Sequence, residues 1–502
     1  MKAVSTDFGS TMETLKADVH PPLYYQLLYV WVRVFGTGER AVRSLSALFY
    51  LFSIFAVYGI GRALYGTRTA LLCAAIYLCS PLAILSAQFA RMYALLSLLS
   101  ILSTWLYFQF GVTLPQKSPR GMNAEEGPPV PGNTPDCRDG RPRSAAPTVE
   151  FFEDLTSEAK LFGVKPHDSR LLFVLYILVN VLGTFTHIAF FFVLFAQIVF
   201  HLLFYRRTRI KAFAAAIAIS LLPYMFLWAP VLLRQFSKSA EGIAWVSKPD
   251  LSMVAELVLL YGGVLWLVIP VLVYLWWRSG FESFGNLRFT SLSMWLLAIT
   301  ILTPLLISQV KPIFNSRLAV IGLHLFALTI GAIAGRRSNS FLTVLLIVLT
   351  AAGLVVLHPG VTNCDNRAMA VYLNQQANDG DAVIFTSLTR LPIDYYLEQA
   401  KTEKKLFQTS FPAEIDQHPG YEGRITDPSR RAALEREGRE LVESLVRTRP
   451  QDRSRRIFFF HGAHPEIDSI VQTLLRERFE LMPGEGVKCE LSPYFQEVSV
   501  YK

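Results

Sequence analysis

Long apolar blocks, unbroken by charge, decide what this chain can fold into. They lie near 41–63, 69–90, 92–112, 171–188, 189–205, 212–233, 254–277, 289–310, 318–335 and 341–358. Most reach the roughly twenty residues an α-helix needs to cross a hydrocarbon core with its backbone amides bonded inside the segment. The fourth and fifth blocks run almost together through Phe185, Thr186 and His187. The sequence therefore predicts an α-helical polytopic membrane protein of about ten spans. Composition agrees, with 52% of the 502 residues hydrophobic and 17% charged, which excludes an ordinary soluble enzyme.

The formal net charge of +9 would suit nucleic acid only if it gathered on one soluble surface. Instead the basic residues sit in short clusters between apolar blocks, where they face lipid headgroups, so no nucleic-acid partner is expected. Two sets of loops alternate. Arg62, Arg68, Arg206, Arg207, Arg209, Lys211, Arg278, Arg288, Arg336 and Arg337 fall in one set, which the positive-inside rule assigns to the cytoplasm. The other set holds Arg91, then Arg234, Lys238 and Lys248 offset by Glu241 and Asp250, then Lys311 and Arg317. This topology puts the N-terminal segment and everything after His358 outside, as expected of a multi-pass protein of the cell (inner) membrane.

Three regions follow. Residues 1–40 read as an external loop with a juxtamembrane helix, and 41–358 as the transmembrane domain. Within the latter, 113–169 is rich in proline, glycine and asparagine and reads as a disordered cytoplasmic loop. Residues 359–502 read as a small extracytoplasmic α/β domain, with strands at 381–387 and 456–462, helices at 367–378, 428–448 and 465–478, and one or two closing strands after Phe479. It carries no G-x-G-x-x-G, P-loop or nucleophile elbow, and nothing in it points to catalysis. Of the five cysteines, Cys73 and Cys79 lie in an apolar block as small packing residues, and Cys137 lies in the polar loop. Cys364 and Cys489 would pair only in an oxidising compartment. No spacing suits a zinc site.

The stretch richest in chemistry is Asp18-Val19-His20-Pro21-Pro22-Leu23-Tyr24-Tyr25. Two prolines fix the backbone and hold His20 at a rigid helix entrance. A histidine there can donate to a phosphate, or simply cap the helix. Tyr24, Tyr25, Tyr29 and Trp31 suit the headgroup region on ordinary interfacial grounds. Arg91 and Arg317 lie at block ends, where arginines bind anions or snorkel to the interface. Glu256 reads as a pairing or snorkelling acid.

Taken with Arg40-Ala41-Val42-Arg43-Ser44-Leu45-Ser46-Ala47, Ser80-Pro81, Ser86-Ala87-Gln88-Phe89-Ala90-Arg91-Met92-Tyr93-Ala94 and Thr186-His187, this stretch resembles the polyprenyl-phosphate-sugar-dependent glycosyltransferases of the GT-C class, in the branch of the protein mannosyltransferases and aminoarabinose transferases. The C-terminal pieces 368–373, Gly380-Asp381 and Asp394-Tyr395-Tyr396 resemble the domain that often follows, so the likeness covers most of the chain except 113–169. The resemblance implies an inverting transfer of a sugar from a polyprenyl-phosphate carrier to a lipid, glycan or protein acceptor at the external face. His20 and Arg91 would engage the donor phosphate, with Lys311 or Arg317 assisting. Gln88 and Tyr93 would orient the donor or acceptor, or pack between helices, and Tyr24 and Tyr25 would join the substrate site. His187 would face the donor or bond between helices. No cofactor is demanded, although a divalent cation is compatible with such chemistry.

In one respect the sequence departs from the family pattern. Relatives carry a membrane helix before this region and then an external acidic motif that supplies the usual base, and neither is evident before His20. Of Asp7, Glu13 and Asp18, Asp18 belongs to the matching stretch and is the candidate base, a solvated loop acid or helix cap being its alternative. A start site placed too far downstream would explain the gap and would leave the chain inactive. Two rivals remain open: a lipid-linked glycan transporter or binding scaffold, and an oligosaccharide polymerase or ligase using pyrophosphate-linked donors.

Overall fold

The computed structural model describes residues 7–17, 20–111, 169–204, 210–238, 248–263, 287–335, 348, 366–386, 389–413, 425, 428–448, 455–462, 465–483, 487–488 and 497–502. Asp18, Cys137, Cys364, Cys489, all of the expected 113–169 loop but Ser169, the second half of the 254–277 block and nearly all of 341–358 lie outside the described residues.

The helical part opens with α1 (Phe8–Ala17), in the stretch expected as external loop ahead of the juxtamembrane helix, followed by α2 (Leu23–Phe35) and α3 (Glu39–Tyr65). Gly36 (φ +87°) and Gly66 (φ +84°) end α2 and α3 in the left-handed region that glycine alone enters without penalty. Next come α4 (Thr67–Leu78) and α5 (Pro81–Gln88), which correct the single span expected at 69–90: the two helices are bent by 56°. The cause is local. Proline at the first position of α5 has no N–H to continue the ladder and holds Ser80 in an extended conformation. Helix α6 (Tyr93–Gly111) follows.

Helices α7 (Ser169–Thr184) and α8 (Phe190–Phe204) are joined by a short turn. A Cβ at Gly183 would meet the Phe190 ring at 2.3 Å, so glycine is what lets that ring close the turn. The block expected at 212–233 breaks at Trp228 into α9 (Ile210–Leu227) and α10 (Ala229–Lys238). Then come α11 (Leu251–Gly262), α12 (Leu287–Val310), a 3-10 helix (Ser316–Gly322) and α13 (Leu323–Gly335). Among the described residues, four helices are long and apolar enough to cross a membrane, and a fifth span results if the bent α4–α5 pair counts as one.

Polar side chains inside this bundle bond to each other. Tyr77 pairs with Ser97 at 2.7 Å, Ser103 donates to Asn180 at 2.7 Å, and His324 meets Thr104 at 3.0 Å. Between apolar helices such bonds add about 0.6 kcal/mol each and chiefly fix register. Close backbone approach does the rest: a Cβ on Gly331 would reach the Cys73 sulfur at 2.4 Å, which packs α13 onto α4.

The C-terminal region runs α14 (Asn366–Gln376), β1 (Ala382–Thr386), α15 (Arg390–Gln399), β2 (Phe407–Phe411), α16 (Pro428–Thr448), β3 (Ile457–His461), α17 (Pro465–Arg478), β4 (Val487–Lys488) and β5 (Glu497–Tyr501). The sheet order is β2-β1-β3-β5-β4, with β1 parallel to β2 and β3, and β5 antiparallel to β3 and β4. Side chains alternate between two buried faces. Val383, Phe385, Phe458 and Phe460 pack against α14 and α15, while Ile384, Ile457 and Phe459 pack against α16 and α17. The near-continuous apolar runs of β1 and β3 made both strands legible; β2 and α15, less patterned, were not. The region touches the helical part where the Tyr395 hydroxyl donates to the Thr37 carbonyl at 2.8 Å, in the α2–α3 connection.

Candidate functional site

Four connections, far apart in sequence, meet at one end of the helices. The entry to α2 is bonded to the α7–α8 turn, since the Leu23 amide donates to the Phe185 carbonyl at 3.0 Å. This brings the His20 ring to 5.7 Å from the His187 ring, and Tyr93, at the start of α6, stands 6.1 Å from His187. The fourth connection arrives through Arg317, whose guanidinium carbon lies 4.9 Å from the centroid of the Phe89 ring in the α5–α6 turn. A planar, weakly hydrated cation over an aromatic face is a favourable arrangement that also orients its fork of donors. Arg91, exposed, is two residues from that ring and its amide donates to the Phe89 carbonyl at 2.8 Å. Two arginines thus flank one turn.

The protonation pattern of His187 follows from geometry. The Ala189 amide points at His187 Nδ1 from 2.9 Å, and an N–H can only donate, so Nδ1 accepts. In the neutral ring the proton is then on Nε2, which becomes the donor.

The other sequence candidates divide. Tyr24 is fully buried and its hydroxyl pairs with Ser46 at 2.8 Å; Ser46 also lies 3.4 Å from the Arg91 carbonyl, so Tyr24 braces the turn that carries Arg91. Tyr25 is buried edge-on against Tyr24 with centroids 5.5 Å apart. Gln88 is exposed at the end of α5, and Lys311 is exposed at the end of α12, six positions before Arg317 on the same connection. Asp18 lies outside the described residues. Phe89 and Ser46 were not singled out from sequence, although both stand inside the quoted motifs. Glu256, read as a pairing acid, takes the Ser316 hydroxyl at 2.8 Å, next to Arg317. Among the described residues no three His, Cys, Asp or Glu side chains stand together as metal ligands.

Compared with solved structures, the chain is similar to ArnT from Cupriavidus metallidurans in the apo state, with a TM-score of 0.52 over 96% of this chain and 87% of that one at 11% identity. The same enzyme bound to undecaprenyl phosphate gives 0.50 over the same shares at 12% identity. The chain has the GT-C glycosyltransferase fold. Within that fold, residues 19–113 match the model of the family described as dolichyl-phosphate-mannose-protein mannosyltransferase. This GT-C segment holds the entry to α2, the Phe89 turn and Tyr93, three of the elements that build the site. No curated protein sequence matches the chain.

Proposed function

We propose that this chain transfers a sugar from a polyprenyl-phosphate carrier to a lipid, glycan or protein acceptor at the external face of the membrane, its C-terminal region lying on that side. The convergence of His20, Tyr93 and His187 with two arginines about Phe89 carries the reading. A departing lipid phosphate gains negative charge as the sugar bond breaks, and fixed donors aimed at that charge lower the barrier. A neighbour of the same fold, ArnT, has been crystallised with undecaprenyl phosphate.

In the reaction the acceptor oxygen attacks the anomeric carbon, the bond from that carbon to the phosphate oxygen breaks, and polyprenyl phosphate leaves with the bonding pair. Attack opposite the leaving group inverts the anomeric centre. The acceptor proton passes to a carboxylate, for which Asp18 is the candidate. Arg91 and Arg317 offer forked donors to the phosphate, His187 a single Nε2–H, and Lys311 a point charge at the rim.

The test uses membranes containing this chain and a labelled polyprenyl-phosphate sugar. Removing His20 and Arg91 together is expected to lower transfer about a hundredfold or more. Turnover that survives the double change refutes those roles. Saturable donor binding without any turnover favours a transporter or scaffold instead, and displacement by pyrophosphate carriers alone favours a polymerase or ligase.

A further inference from the structure

An acid that keeps a phosphate-binding arginine in place is recognisable by what it holds. Helix α11 carries one charged residue between Leu251 and Gly262, Glu256. An ionisable group in such a helix needs a reason and a partner. The partner is Ser316, whose hydroxyl donates to Glu256 Oε1 at 2.8 Å. Ser316 opens the 3-10 helix that carries Arg317 as its second residue.

The same short helix is gripped at further points. Asn315 Oδ1 accepts the Arg317 amide at 3.0 Å and caps it. Five positions along α11 from Glu256, the Tyr261 hydroxyl donates to the Ala319 carbonyl at 2.5 Å. Five residues of α-helix rise about 7.5 Å, and three of 3-10 helix rise about 6 Å, so the two contacts run nearly in step. Gly322 closes the grip: a Cβ there would come within 2.9 Å of both the Tyr261 hydroxyl and the Ile301 side chain. Just upstream, Ser308 Oγ accepts the Ile313 and Phe314 amides at 3.2 and 2.9 Å. The connection bearing Arg317 is therefore held on both sides, and Glu256 bonds the residue that immediately precedes the arginine lying over Phe89.

We propose that Glu256 is a positioning residue of the donor site: through Ser316 it fixes the turn that presents Arg317 to the lipid phosphate. The proposal rests on the donor reading given above. Glu256 does not touch the reacting atoms. It sets where Arg317 stands, and its acceptor oxygen matters more than its charge.

The experiment measures binding of undecaprenyl phosphate to the purified full chain in detergent, together with steady-state transfer. Glu256→Ala and Ser316→Ala are each expected to weaken binding and raise KM about tenfold, with kcat nearly unchanged, as the loss of one hydrogen bond predicts. Glu256→Gln keeps the acceptor and stays within about threefold of the parent. In an Arg317→Ala background Glu256→Ala adds nothing, because the effect passes through the arginine. Glu256 is exposed, so chromatographic behaviour and melting stay as in the parent. A parent chain that binds undecaprenyl phosphate while Glu256→Ala binds it equally well overturns the proposal alone. So does Glu256→Gln behaving like Glu256→Ala, or full additivity with Arg317→Ala. A parent chain that binds no polyprenyl phosphate overturns the functional reading and the proposal with it.

Discussion

The helical part and the C-terminal region both contain polar clusters built around a buried histidine, and they use them differently. Around His187 the ring partners come from the α2 entry and the start of α6, and Arg91, two residues before Tyr93, remains exposed. Around His461 the cluster is sealed. The imidazole Nε2 meets Ser499 Oγ at 2.9 Å, and Nδ1 lies 3.8 Å from an Asp468 carboxylate that is itself buried. Serine, histidine and aspartate so placed invite a hydrolytic reading. Burial of all three below one tenth exposure removes it, because no substrate reaches the hydroxyl. On the proposed reading, chemistry belongs to the cluster beside which a charged side chain stays exposed.

That contrast is most easily broken at Arg317. Arg317→Ala is expected to lower transfer kcat/KM about a hundredfold, and Arg317→Lys to recover only part of it, since an ammonium lacks the planar fork. Comparable activity in all three chains would erase the distinction between the open and sealed clusters. Changes at His461 or Ser499 are expected to leave transfer per folded molecule unchanged.

A second lever is the turn that carries His187. Gly183→Ala forces the Phe190 ring aside from a contact of 2.3 Å, and overpacking of this kind costs about 1–3 kcal/mol. The expected result is a donor affinity reduced about tenfold with the C-terminal sheet undisturbed. Undiminished affinity would detach the α7–α8 turn from the site.

The sealed cluster should answer to pH instead. Burial pushes the Asp468 carboxyl up to about 7 and the His461 imidazole down to about 4, the positive Arg476 adding to the latter. Attraction across 3.8 Å would shift both groups the other way, so desolvation outweighs it here. For Asp468, whose folded value exceeds its unfolded one, the stabilising contribution is complete below about 4 and is lost as pH rises to about 7. For His461, whose folded value is depressed, stability present above 6.5 is lost as pH falls to about 4. The two trends oppose each other across that window. Asp468→Asn removes the first, leaving a chain whose β3 protection rises from pH 4 to pH 6.5 and exceeds the parent's near pH 7.5 by on the order of 1 kcal/mol. Hydrogen exchange of the β3 amides in the full chain reads this directly, and a parallel pH dependence in both chains would contradict it.

The smallest effect belongs to the contact between the two parts. Tyr395→Phe deletes one exposed hydrogen bond to Thr37 and is expected to cost about 0.5–1 kcal/mol of docking. Faster exchange at the α2–α3 connection with transfer nearly intact is the outcome; a large loss of transfer would make the C-terminal region part of the chemistry.

Much of this was readable in the amino acids. The apolar blocks gave the membrane-length helices because burial in lipid tolerates no alternation, and 428–448 and 465–478 declared themselves by helical period. The His-Pro-Pro and Ala-Arg-Met-Tyr stretches drew attention to His20, Arg91 and Tyr93. What stayed hidden depends on contacts distant in sequence. Nothing in Phe89 announces that Arg317 will lie over it, nor does Ser316 announce Glu256. Tyr24, placed at the headgroups by its residue type and in the substrate site by the resemblance, is buried with its hydroxyl on Ser46, a contact that nothing in the sequence announced. The run of apolar residues across Ser80-Pro81 concealed the break there, although the proline was its signal.

One measurement bears on the whole account. A polyprenyl phosphate carrying a photoreactive group beside the phosphate, bound to the full chain and irradiated, should label peptides from the α2 entry, the Phe89–Tyr93 turn, the α7–α8 turn and the Lys311–Arg317 connection together, with excess unlabelled carrier abolishing all four. Labelling confined to a single lipid-facing helix, or concentrated in the C-terminal sheet, would contradict the claim that these segments form one phosphate site.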